Sequence, residues 1–205
     1  MSDLGEAQYL LGWSITRNRK NRSIFIHQEK YATKVLDRFS HLDSHPVGTP
    51  TDGSLKLTQD MCPQIEADKA EMKAIPYREA VGSFMYLMMG TRPDLAYFLR
   101  EVSQFLANPG QAHWNAVKRG LNYLNGTRNL GITLGGIQNL EQYQSQNYLT
   151  VFTDADYANY QDTRRSVGGY VTYMCGSPIS WLSRKHHTVV LSTTEAEYIA
   201  LCHCM

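Results

Sequence analysis

An apolar run from Tyr9 to Thr16 is followed by a polar stretch, Arg17 to Arg22, and a second apolar run, Ser23 to His27. Two short apolar runs around a polar turn predict a β-hairpin. Between Gln28 and Phe39, apolar residues recur at Tyr31, Val35, Leu36 and Phe39. That spacing predicts a helix with one buried stripe. From His41 to Pro76 the pattern is lost, and Pro46, Gly48, Pro50, Gly53, Pro63 and Pro76 punctuate the segment. It reads as a long connection, unusual inside a compact domain.

Helical spacing then returns. Tyr77 to Met89 carries Ala80, Val81, Phe84, Met85, Leu87 and Met88. Pro93 suits the first turn of a second helix, where its missing N–H costs nothing. Asp94 suits the positive end of that helix dipole. Leu95, Leu99, Val102 and Leu106 continue the stripe. After Gly110 a third helix turns Trp114, Val117, Leu121 and Leu124 inward, and Gly126 is a suitable stop. The period changes again further on: Tyr148 to Thr153, Gly169 to Cys175 and Ile179 to Ser183 read as strands, with Gly176-Ser177-Pro178 as a tight turn. Ser192-Thr193-Thr194-Glu195 has the form of a capping box opening a last helix. The chain is therefore expected to be α+β. It divides into a hairpin with its first helix over 1–40, a connection over 41–76, a helical region over 77–135 and a sheet region over 148–205.

Composition narrows this little. The net charge of +1, from 20 basic and 19 acidic residues, does not demand a phosphate-binding role. No apolar run approaches the ~20 residues of a membrane span, and the N-terminus lacks the form of a secretory signal. Cys62, Cys175, Cys202 and Cys204 give no disulfide framework, so a reducing intracellular compartment is the default.

The candidate chemistry is acidic. Asp154 falls at the end of an apolar strand, and Glu195 begins the helix that follows the strands. Such a pair can converge on magnesium, which prefers hard oxygen ligands. Two such ions ~4 Å apart stabilise the attacking and leaving oxygens of a phosphodiester. In a strand Asp154 and Asp156 point to the same side. In a helix Glu195 and Glu197 lie about 200° apart, so only one can face Asp154, and Glu195 is favoured. The plainer alternative stays open: the aspartates mark a turn and the glutamates are helix-start charges. Arg164-Arg165, Lys118-Arg119 and the cations from Arg17 to Arg22 are candidates for phosphate contact, with solvated surface charge as the competing reading. Cys202-His203-Cys204 and His186-His187 have poor spacing for a zinc site. Trp114 and Trp181 read as core residues.

Several phrases together resemble the copia-type retrotransposon Pol polyprotein: the segment from Asp3 to Gly12; Tyr77 to Leu87 with Thr91-Arg92-Pro93-Asp94; His113-Trp114 and Lys118-Arg119; Tyr123 to Thr127; Asp154 to Ala158; and Leu191 to Tyr198. The resemblance implies the C-terminal part of a reverse transcriptase followed by the N-terminal part of ribonuclease H. In that frame Gly12 and Trp13 belong to a primer-grip-like hairpin. The helices up to Gly126 would be thumb and connection. Lys118, Arg119, Arg164 and Arg165 would meet nucleic acid, and Asp154 and Glu195 would be the catalytic, magnesium-binding acids of a ribonuclease H-like α/β sheet.

The implied partners are an RNA–DNA hybrid or template–primer duplex and the remainder of the polyprotein, with no membrane. The implied setting is cytoplasmic or nuclear. The polymerase aspartate pair and the later ribonuclease H acid are absent from the sequence. The expectation is a truncated fragment with an incomplete sheet, a poorly stable C-terminal half and little or no activity alone. A non-catalytic nucleic-acid-binding or protein-interaction module derived from it is the alternative.

Overall fold

The computed structural model describes residues 5–136, 149–160 and 162–204. It is a mixed α+β fold with two antiparallel sheets and a helical core, an arrangement consistent with the ribonuclease H-like expectation.

The first sheet holds β1 (Tyr9–Leu10), β2 (Trp13–Asn18), β3 (Ser23–His27) and β4 (Gly131–Gly135), in that order. The expected hairpin is β2–β3. The first apolar run is broken because Leu11 and Gly12 adopt φ of 49° and 83°. They form the two-residue turn, with φ positive at both positions, that suits a tight hairpin. Strand β4 lies at the end of the 77–135 region, past the helix stop expected at Gly126, where no strand is predicted. Pairs Ile24–Leu134 and Ile26–Ile132 place its apolar residues beside those of β3. The short alternating Ile132-Thr133-Leu134 between two glycines is the sequence signal for it.

The core is helical: α1 (Glu29–Arg38), a 3-10 turn (Gln59–Met61), α2 (Glu66–Lys73), α3 (Tyr77–Gly90), a 3-10 turn (Pro93–Leu95), α4 (Ala96–Ser103) and α5 (Gln111–Gly126). Leu36, Phe84, Leu87, Leu95, Phe98, Val117, Leu121 and Leu124 are buried together. Phe84 and Phe98 meet edge to face with centroids 4.9 Å apart, a favoured aromatic geometry. Helices α4 and α5 come close because residue 120 is glycine: a Cβ there would lie 2.4 Å from the Phe98 ring. Helix α2 lies inside what the sequence predicts as plain connection. It buries only Met72 and is otherwise polar, so no apolar stripe announces it. A Glu66–Lys69 pair at 2.8 Å supports it locally.

The Thr91-Arg92-Pro93-Asp94 phrase is a structural clasp. Arg92 is buried, and its Nε and Nη2 donate to Asp94 while Nη1 and Nη2 donate to the carbonyl and hydroxyl of Thr127. Tyr123 donates its hydroxyl to the same carboxylate at 2.9 Å. The clasp ties the start of α4 to the end of α5.

The second sheet holds β5 (Leu149–Asp156), β6 (Val167–Met174) and β7 (Ser177–Lys185), all antiparallel, with α6 (Thr193–Cys202) against β5 and β6. The predicted turn sits one residue early. Cys175 and Gly176, at φ 49° and 75°, form the loop, and Ser177 already pairs with Met174. Pro178 is tolerated because β7 is an edge strand with a bulge beside it. Helix α6 begins as expected: Glu195 N–H donates to Ser192 Oγ at 3.1 Å. Glu195 Oε2 accepts from Leu191 N–H at 2.8 Å, one residue earlier than a regular capping box.

Two buried histidines make stability depend on pH. Burial lowers the pKa of His113, opposed by the Thr58 backbone. His113 Nδ1 accepts the Gly110 N–H at 2.8 Å, a bond that protonation would break. Burial also lowers the pKa of His186, with His203 adding to the shift. Below the unfolded histidine pKa of about 6.5, the unfolded chain binds protons that the folded chain refuses. The histidine contribution is thus whole above that pH and is lost as pH falls toward the lowered folded values. Urea midpoints taken from pH 7.5 down to 5 should fall, and His113→Gln should flatten the decline.

Candidate functional site

The second sheet decides where the candidate acids point. A Cβ on Gly168 would touch Ala200 of α6 at 3.1 Å. Ala155 pairs with Gly168, and side chains alternate along a strand. Val151, Thr153 and Ala155 therefore face α6, while Phe152, Asp154 and Asp156 face the other way. Directly paired residues share a side, so Asp154 lies with Gly169 and Ser183, and Phe152 with Val171 and Trp181.

That second face looks toward the helical core. Trp181 Nε1 donates to the Met88 carbonyl at 3.0 Å. Lys185 Nζ donates to Gln104 Oε1 at 3.1 Å and lies 3.9 Å over the Tyr160 ring. Between sheet and helices runs a groove of about 610 Å³, lined in part by Asp94, Tyr97, Asp154, Asp156, Tyr170 and Trp181. Three carboxylates border it, in different states. Asp94 belongs to the Arg92 clasp, Asp156 accepts from Asn159 Nδ2, and Asp154 is exposed with no polar partner among the described residues.

Glu195 sits on the helix that covers the opposite face of the sheet, turned back onto the Leu191 N–H. Strand alternation puts Asp154 on the same side as Asp156, and the Glu195 carboxylate is engaged by the Leu191 N–H. Among the described residues no group of three or more acidic, histidine or cysteine side chains is arranged to hold a metal ion.

The candidate nucleic-acid residues fall on separate elements. Gly12 lies in the β1–β2 turn, and a Cβ there would come 2.7 Å from the Tyr86 hydroxyl, which donates to the Leu11 carbonyl. Trp13 begins β2 and is partly buried. Lys118 is partly exposed on α5. Arg119 is turned onto the connection, donating to Thr49 Oγ1 at 3.0 Å. Arg164 is exposed in the β5–β6 loop at φ 54°. Arg165 is partly buried close to Lys185. Burial lowers the Lys185 pKa, and Arg165 and Arg100 lower it further.

Sequence reasoning missed how the connection is pinned to the second sheet. Lys56 donates to Asn159 Oδ1, and Gln59 N–H donates to Asp162 Oδ2 at 3.1 Å. Single polar residues at such separations leave no pattern to read. No helix among the described residues is long and apolar enough to cross a membrane.

The chain is 47% identical over 200 residues to a retrovirus-related Pol polyprotein from transposon TNT 1-94 of Nicotiana tabacum. It is 39% identical over 193 residues to one from transposon RE2 of Arabidopsis thaliana. The matches cover 98% and 94% of this chain but 14% and 12% of those polyproteins. It is also 33% identical over 201 residues to an uncharacterised mitochondrial protein of Arabidopsis thaliana, covering 98% of this chain and 77% of that one. No protein-family model matches the chain, and no solved structure matches it significantly.

Proposed function

Because this chain is homologous over nearly its whole length to retrovirus-related Pol polyproteins from transposons, we propose that it is a copia-type segment joining the end of a reverse transcriptase to the start of its ribonuclease H. The observation that carries this reading is a collinear match over 98% of the chain. In it, β1–β3 are the primer-grip-like end of the palm, α1 to α5 the thumb and connection, and β5 to α6 the first part of the ribonuclease H sheet. The substrate is a template–primer duplex or RNA–DNA hybrid, in the cytoplasm or nucleus. The chain alone is inactive in this reading, since the polymerase aspartate pair and the later ribonuclease H acid are absent from its sequence. Magnesium would be held in this reading by Asp154 and Glu195 together with further acids of the polyprotein.

Purified chain, magnesium and an RNA–DNA hybrid should give no specific cleavage. The same chain fused in register to the flanking segments of the tobacco polyprotein should cleave, and lose that activity with Asp154→Asn. Cleavage by the chain alone, abolished by Asp154→Asn, would overturn the inactive-alone part. A fusion indifferent to Asp154→Asn would overturn the site.

A second reading, a module that binds nucleic acid without cutting it, draws on the β2–β3 turn. Arg17, Lys20 and Arg22 are exposed there, while Arg19 pairs with Glu6, whose carboxyl Arg17 also helps hold below its usual range. Gel shifts run beside the cleavage assay discriminate: this reading requires duplex binding that weakens steeply with salt.

A further inference from the structure

Helix α6 is thinly held. The side chains it buries are Ala196 and Ala200, and methyl groups remove little apolar area from water. It lies close to the sheet because residue 168 is glycine: a Cβ there would come 3.1 Å from the Ala200 Cβ and 2.7 Å from Nε2 of His186. His186 follows the end of β7, and its N–H donates to the Ser166 carbonyl at 2.9 Å. Its ring thus lies where β6 and the last turns of α6 meet.

His186 is 1% exposed, and neither ring nitrogen has a hydrogen-bond partner among the described residues. His203, which caps the C-terminus of α6, faces it with ring centroids 5.8 Å apart and planes at 75°. The neighbouring ionisable groups are turned elsewhere. On the β7 side, Arg184 contacts His187, and Lys185 reaches Gln104 and the Tyr160 ring. On the α6 side, Cys202 is exposed and Cys204 Sγ donates to the Leu201 carbonyl at 2.8 Å. Strand β6 presents the uncharged Gly168. Among the described residues, His203 is the ionisable group that acts on the His186 charge, and it acts by repulsion. A neutral imidazole is tolerated in such a place far better than a cation, which would have no anion or acceptor to meet.

We propose that His186 and His203 form an acid-sensitive latch, in which protonation lifts α6 off the sheet while the helical core stays folded. The docked His186 ring refuses the proton, and the undocked ring takes it at the ordinary histidine pKa of about 6.5. Docking is therefore fully favoured above that pH and weakens as pH falls. By linkage, one such histidine raises the undocked population by up to about thirtyfold between about pH 7.5 and about pH 5. The latch does not rest on the polyprotein reading; where that reading holds, the helix it releases is the one that carries Glu195.

The test is hydrogen exchange on the full chain across that pH range, with rates corrected for the intrinsic pH dependence of amide exchange. Amides of α6 should lose protection by about tenfold or more relative to those of α3, which report loosening of the whole chain through His113. The His186 ring signal in NMR should titrate with a midpoint below about 6.5, in step with that loss. His186→Phe, which keeps a ring and has no site for the proton, should hold α6 protection level. His203→Gln, at a partly exposed position, should shrink the effect. Four results would each overturn the latch: α6 protection that changes only in step with α3, a loss that persists in His186→Phe, a His186 ring that titrates while α6 stays protected, or an effect unchanged by His203→Gln. If His186→Phe fails to fold, the ring titration and the His203 variant decide.

Discussion

Asp94→Ala should cost about 3–5 kcal/mol of folding stability, the range for leaving one partner of a buried ion pair alone. The Arg92 side chain is only 2% exposed, so its charge cannot turn to water when the carboxylate is gone. It would keep the Thr127 carbonyl and hydroxyl but lose the paired donation from Nε and Nη2 to Asp94. Tyr123 would lose its acceptor as well. Tyr123→Phe, which removes only that one hydrogen bond, should cost about 1 kcal/mol. Urea unfolding gives the comparison directly, through a lower midpoint at unchanged slope. An Asp94→Ala loss no larger than that of Tyr123→Phe would show that the clasp is not a coupled network. Asp94 borders the groove, yet its oxygens are committed to Arg92 and Tyr123.

The parts of the fold legible in the sequence are those with a strong apolar period. Helices α1, α3 and α5 repeat their apolar residues at helical spacing, and Leu36, Phe84 and Leu121 are buried where that spacing puts them. Strands β5, β6 and β7 show the shorter period; the structure carries β5 on to Asp156, extends β7 at both ends to Ser177–Lys185, and shifts β6 to Val167–Met174. What escapes is held by something other than periodic burial. Helix α2 rests on local charge pairing and one methionine. Strand β4 is short and finds its partner β3 across most of the helical core. A reading of local windows, which stops the preceding helix at Gly126, leaves these residues without an element.

The candidate site divides in the same way. That Asp154 and Asp156 share a face follows from strand alternation alone. Which face they share depends on where α6 packs, and that is set by small residues in contact, Gly168 against Ala200. Local pattern carries no such information. The pairing of Asp154 with Glu195 rested on their positions at a strand end and a helix start. Alternation turns Asp154 away from the Ala155 side, against which α6 packs. The basic residues show a related limit: Lys118-Arg119 reads as a unit, yet Arg119 is turned to Thr49 and Asp52 while Lys118 remains partly exposed.

Phe84→Ala should cost about 3–5 kcal/mol as a large-to-small change in a closed core, and the loss should reach the second sheet. Phe84 is fully buried and meets Phe98 edge to face. Phe98 in turn fills the space left by Gly120, so the cavity would open where α3, α4 and α5 converge and cannot close without moving α4. The second sheet leans on those helices through Trp181 to the Met88 carbonyl and Lys185 to Gln104. Its own fully buried apolar side chains are few: Val167, Val190, Ala196 and Ala200. By about 25 cal/mol per Å² of apolar burial, so small a set cannot offset the ordering of three strands and a helix without the helical core beneath it. Hydrogen exchange measures this residue by residue. In the unaltered chain, amides of 149–156 should exchange faster than those of α3 and α5. In Phe84→Ala both groups should lose protection, since the sheet's support is weakened along with the core. If the amides of 149–156 kept their protection while α3 lost its own, the sheet would be an independent folding unit, and docking through Trp181 and Lys185 would add nothing to its stability.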